Sequence, residues 1–92
     1  MTSDEIKSAV LEALRRIAPE VDTAALRTDI PIREQVDIDS MDFLNFLLAL
    51  HASLGVDIPE TAYREVATVA GCVAYIAAHN PQPRSAGHAA GG

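Results

Sequence analysis

The sequence predicts an all-α domain: a four-helix bundle of three longer helices and one short one, with a long loop between the first and the second. Three observations carry that expectation. Ninety-two residues amount to one domain, of a size at which only about 60% of the unfolded chain's surface is buried. Apolar residues make up 49% of the chain, yet it holds only two Phe and two Tyr, so the core falls to Leu, Ile, Val and Ala, a helix-favouring palette. The apolar residues also recur three and four apart in segments bounded by cap and stop residues.

The first helix begins at Thr2, where Glu5 three residues on completes a capping-box pattern that satisfies two otherwise orphaned backbone donors. Ile6, Val10, Leu14 and Ile17 follow at helical spacing, Leu11 and Ala13 widen the stripe, and Pro19 stops the helix near Ala18. Between Pro19 and Asp39 no sustained pattern appears, apart from a turn at Ala24–Arg27. Leu26, Ile30, Ile32 and Val36 are expected to pin this segment to the core. A connection of about 20 residues is long for a compact domain, and such loops are usually functional or carry structure of their own.

The second helix runs from Ser40 to Leu54 and ends at Gly55, a residue suited to the left-handed position past a helix terminus. Pro59 blocks immediate continuation, residues 60–65 form a short helical turn, and Thr68 caps the last helix with Val69, Val73 and Ile76 facing inward. The final stretch, NPQPRSAGHAAGG, has no apolar period. The chain therefore divides into a helical domain, 1–79, and a disordered tail, 80–92. There is no internal repeat.

Net charge is −6, and its placement says more than its sum. Residues 1–17 balance three acids with three bases, whereas residues 18–65 hold ten acids against Arg27, Arg33 and Arg64. Nucleic acid and anionic membrane are thereby disfavoured as partners, and proteins with basic surfaces are favoured. Cys72 is the lone cysteine, so it forms no intrachain disulfide and is expected to be a small core residue of the last helix. MTSDEIK lacks the basic and apolar regions of a secretory signal, and the longest uncharged stretch, Phe43 to Val56, falls short of the roughly 20 residues a membrane span needs. A soluble, cytoplasmic monomer is expected.

At roughly 100° per residue, the second helix presents three faces. Phe43, Phe46, Leu47, Leu50 and Leu54 form a core stripe, and Asp42, Asn45, Ala49 and Ser53 form a solvent face. Met41, Leu44 and Leu48 make a third, apolar group beside Ser40. Either the helix is central and flanked on two sides, or these residues form a patch that a partner covers.

VDIDSMD, residues 36–42, raises the functional question through its serine. Asp39, Ser40 and His51 supply the residue types of a hydrolase triad, but eleven residues of helix place His51 roughly 16 Å from Ser40 along the axis, against the roughly 3 Å a base requires. There is also no G-x-S-x-G elbow, and no catalytic residue is assigned. A calcium loop counted from Asp37 through Asp39 fails, because Met41, Asp42 and Leu48 fall where a ligand, the turn glycine and the bidentate glutamate belong. The histidines share no ligand spacing, so no metal site is assigned either. Asp39 as the cap, with Asp42 at the third helical position, leaves the Ser40 hydroxyl free at a positive helix end that suits a covalently attached phosphate.

Asp39-Ser40-Met41-Asp42, the long apolar helix behind it, and DIPE 18 residues later resemble the acyl carrier protein family over roughly residues 2–79. The resemblance implies an acyl-carrier-like bundle in which Ser40 carries a 4′-phosphopantetheine arm, transferred from coenzyme A by a magnesium-dependent phosphopantetheinyl transferase. The arm's thiol would hold acyl groups as thioesters for acyl-loading and acyl-processing enzymes such as a ligase, ketosynthase or transferase. The chain itself would be a carrier and not an enzyme.

By the same resemblance Asp39, Met41, Asp42, Leu44 and Leu48 form the partner-binding face. Met41 stands where leucine is usual, and Phe43 and Phe46 would line the interior that accepts an acyl chain. Asn45, His51, Ala52 and Ser53 occupy positions where fatty-acid-type members carry glutamates, which points to a specialised fatty-acid, polyketide or related pathway. Peptidyl or aminoacyl carriers share this layout but place Gly-Gly before the serine neighbourhood, where Asp37 and Ile38 stand here. A cofactor-free helical interaction module, with Ser40 only near a cap, is the alternative of another class. The length and the methionine start are those expected of a free-standing carrier.

Overall fold

The computed structural model describes residues 1–79, and the expected tail, 80–92, lies outside the described residues. Its elements are α1 (Ser3–Ile17), α2 (Ile32–Gln35), α3 (Ser40–Leu54), a 3₁₀ turn (Glu60–Ala62) and α4 (Val69–Ala78). The described residues contain no strand. The all-α class follows from the local chemistry of each helix end.

At the start of α1 the Glu5 amide donates to the Thr2 hydroxyl over 3.2 Å and the Thr2 amide donates to the Glu5 carboxylate over 2.7 Å, closing the expected capping box. That backbone donation from Thr2 holds the Glu5 carboxyl below its ordinary pKa. α3 carries a second capping box, Asp39 with Asp42, and ends at Gly55, whose φ of 70° is the left-handed conformation glycine adopts without a Cβ penalty. Thr68 caps α4 by accepting from the Gly71 amide over 2.9 Å.

α1 is the helix in extensive contact with both α3 and α4. Its buried residues, Ile6, Val10, Ala13 and Leu14, meet the stripe Phe46, Leu47, Leu50 and Leu54 of α3 and the stripe Val69, Cys72, Tyr75 and Ile76 of α4. Each large aliphatic side chain so buried contributes roughly 1.5–3 kcal/mol. Among the described residues no polar or charged side chain is buried. Burial pushes the Cys72 thiol up to about 12, and its Sγ lies 3.2 Å from the Val66 carbonyl oxygen, so it is a core residue as expected.

Several expectations need correction. On α4 Val73 is only half-buried, and the inner face is completed by Cys72 and Tyr75. On α1 Ile17 sits at the edge of the core, and Phe43 of α3 is likewise half-buried, packed against the core with its ring centroid 5.7 Å from that of Phe46. The short helical turn expected at 60–65 is present, as a 3₁₀ turn at Glu60–Ala62.

The long loop is more structured than its sequence suggests, because it contains the one-turn helix α2. Ile32, Val36 and Ile38 are buried, whereas Leu26 and Ile30 reach only half-burial. The Gln35 side chain knits the loop together: its Oε1 accepts from the Arg27 amide over 2.7 Å, while its Nε2 donates to the Arg27 and Ile30 carbonyls. Backbone bonds from Ile32 N to Ala67 O, 2.8 Å, and from Ala70 N to Thr28 O, 2.9 Å, then fasten it to the start of α4. At that junction Gly71 passes so close to the Glu65 carbonyl that a Cβ there would lie 1.8 Å from the oxygen.

Candidate functional site

The site grows from the N-terminus of α3. Asp39 is extended, with φ −93° and ψ −175°, and its Oδ1 accepts from the Asp42 amide over 2.8 Å. The Asp42 carboxylate accepts in return from the Asp39 amide over 3.4 Å. Ser40, the first residue inside the helix, is exposed, and among the described residues its hydroxyl enters no hydrogen bond. The capping task is discharged by its neighbour.

Ser40 stands on the rim of a cleft of about 580 Å³. α3 contributes Met41, Phe43 and Leu44 to its wall, Pro31 and Arg33 come from the α2 turn, and the 3₁₀ turn and the segment after it add Glu60, Tyr63, Arg64 and Ala67. A smaller cleft of about 250 Å³ continues along α3 between Leu48, His51 and Ile58, with Leu44 and Tyr63 shared by both. The apolar third face of α3 is therefore not covered by a neighbouring long helix, since α1 occupies the central position. Met41 is 63% exposed and Leu48 55% exposed, while Leu44 is half-buried between the clefts.

His51 points elsewhere. Its Nδ1 lies 3.2 Å from the Asp57 carboxylate and 3.3 Å from the Val56 carbonyl, tying the end of α3 to the following loop. No His or Cys lines the cleft at Ser40, so the serine has no imidazole or thiol base beside it there. Among the described residues no group of three or more His, Cys, Asp or Glu side chains could hold a metal ion, and no helix is long and apolar enough to cross a membrane. The arrangement presents an accessible hydroxyl at the positive end of a 15-residue helix, next to a mainly apolar cleft edged by two guanidiniums and the Glu60 carboxylate.

The structure brings Asp39, Ser40, Met41, Asp42 and Leu44 together at this end of α3 and places Leu48 two turns further along the same side. Arg33, Tyr63 and Arg64 were not singled out for the site by sequence. The charge imbalance of residues 18–65 drew attention to the arginines, but nothing local indicated that two of them meet at one cleft.

Residues 4–76 match the family model described as a phosphopantetheine attachment site. An acyl carrier protein of Rickettsia typhi is 29% identical over 75 residues, 82% of this chain and 86% of the relative. An acyl carrier protein of Lactobacillus acidophilus is 32% identical over 60 residues, 65% of this chain and 75% of the relative. No solved structure matches the chain significantly.

Proposed function

This chain belongs to the acyl carrier protein family, with a phosphopantetheine attachment domain spanning residues 4–76, and from that membership we propose that Ser40 is the residue that bears the arm. Membership brings a covalently attached 4′-phosphopantetheine, whose terminal thiol supplies the thioester linkage to an acyl group. The single observation behind the assignment to Ser40 is that its hydroxyl, left exposed and unengaged by the Asp39–Asp42 capping box, stands on the rim of the apolar cleft. The residues present suit the group. A phosphate ester on Ser40 lies at the positive end of α3, and the neighbouring apolar cleft offers cover to the arm or its cargo.

The chain's own residues have limited tasks in this scheme. Asp39 fixes the helix start, Ser40 offers its oxygen to a phosphopantetheinyl transferase, and Met41, Leu44 and Leu48 give partner enzymes an apolar surface beside it. Asp42 completes the cap and, with Asp39, keeps acidic charge at the start of the helix. The protein acts as a cytoplasmic carrier, and catalysis belongs to the enzymes that load and process the acyl group. Intact mass tests the site: coenzyme A with a promiscuous transferase should add about 340 Da to wild type and nothing to Ser40→Ala. An unchanged wild-type mass across several transferases would favour the cofactor-free interaction module.

The pathway is a specialised one. Asn45, Ala52 and Ser53 are exposed on α3 where an acidic docking surface would need carboxylates, so partners read an apolar face rather than a charged one. The loaded protein is accordingly expected to be a poor substrate for a housekeeping fatty-acid ketosynthase. Efficient, salt-sensitive turnover by that enzyme would contradict the reading.

A further inference from the structure

Between residues 18 and 65 the chain holds ten carboxylates and three guanidiniums. Arg27 is paired with Asp29 at 3.3 Å. Arg33 and Arg64 have no carboxylate within 4.0 Å among the described residues, although acids outnumber bases more than threefold around them. Both line the cleft on whose rim Ser40 stands. Glu60 lines the same cleft but pairs with neither guanidinium, so among the described residues two arginines in the most acidic part of the chain stand at one cleft with their donors open to a further anion.

We infer that Arg33 and Arg64 form a two-point clamp for the phosphodiester joining the arm to Ser40, so that the arm leaves the serine along the apolar wall of Met41, Phe43 and Leu44. The inference rests on Ser40 being the attachment position. A phosphodiester has two non-bridging oxygens, and a guanidinium can donate to each. A carboxylate on the cargo or an acidic partner surface would also suit two guanidiniums. The phosphodiester is favoured because, once attached, it is held permanently at the rim of the cleft that both arginines line, at high effective concentration, whereas the other two reach the cleft only in some states. Both arginines are exposed, so the pairing is screened by salt. The clamp positions the arm and performs no chemistry.

The test is guanidinium NMR on the full chain, before and after arm attachment, with complete loading confirmed by intact mass. The Nε–H resonances of Arg33 and Arg64 are expected to move on attachment while those of Arg15 and Arg16 in α1 stay, and the movement should shrink as salt is raised. The ³¹P resonance of the attached phosphodiester is expected to shift in the Arg33→Gln/Arg64→Gln double variant. Arginine resonances that stay put on a fully loaded wild-type chain overturn the clamp and leave the Ser40 assignment standing. Resonances that move only when a chain ending in a free carboxylate is loaded, or only with an acidic partner present, also overturn it. A wild-type chain that gains no mass removes both readings together.

Discussion

The two longest helices begin in nearly the same way. Thr2-Ser3-Asp4-Glu5 opens α1 and Asp39-Ser40-Met41-Asp42 opens α3, each with a reciprocal capping box and an exposed serine at the first helical position. The helix dipole and the flanking acids are therefore common to Ser3 and Ser40. Their surroundings differ. Ser3 borders a groove of about 400 Å³ walled by small α4 side chains such as Ala70, Ala74 and Ala77, with Asp4 and Lys7 at its edge. Ser40 borders a larger cleft with Met41, Phe43 and Leu44 in its wall, the Glu60 carboxylate, and two arginines that among the described residues pair with no carboxylate. A free serine at a capped helix start is thus a common local product, and its use depends on what the fold gathers around it.

The largest expected effect separates the two serines outright. Ser3→Ala should retain the full mass gain under transferase treatment and Ser40→Ala should lose it, so a gain that persists in Ser40→Ala breaks the comparison. Next comes the wall of the cleft. Gly71→Ala places a Cβ against the Glu65 carbonyl, backbone that cannot swing aside, and a cost of about 2 kcal/mol or more is expected. Denaturant midpoints read that cost, and slower arm attachment on the surviving folded fraction would show that the segment bearing Arg64 matters to Ser40. The caps themselves should behave alike: Thr2→Ala and Asp39→Ala are each expected to cost about 1 kcal/mol, while Asp39→Asn, which also caps, costs little. A markedly larger loss at Asp39 on thermal unfolding would mean that it supports more than the helix start.

Most of the fold was legible because its signals are local. Thr2, Asp39 and Thr68 announce helix starts through hydrogen bonds spanning three residues, and Pro19 and Gly55 announce stops. The stripe Phe46, Leu47, Leu50, Leu54 follows from helical periodicity alone. α2 was not legible, because a four-residue helix has too few turns to show a period. Its stability comes from Ile32 in the core and from Gln35 bonding back to Arg27 and Ile30. Phe43 has the helical angle of a core residue and packs against the core beside Phe46, but in the first turn of α3 it also lines the cleft and stays half-buried.

The sequence by itself determined the helices, their caps and stops, the apolar face of α3 and the DSMD start with DIPE behind it, which resembles the carrier family. Each of these depends on residues a few positions apart and on hydrogen-bond or side-chain geometry that a single helix dictates. Only the tertiary structure decided that α1, rather than α3, is the helix packed on two sides, and that Arg33 and Arg64, 31 residues apart in the chain, share one cleft with Ser40. That convergence is set by the path of the long loop, which the burial of Ile32 and Val36 and the backbone bond from Ile32 to Ala67 fix in place. Such long-range closures depend on the whole core at once, and so no stretch of the sequence announces them.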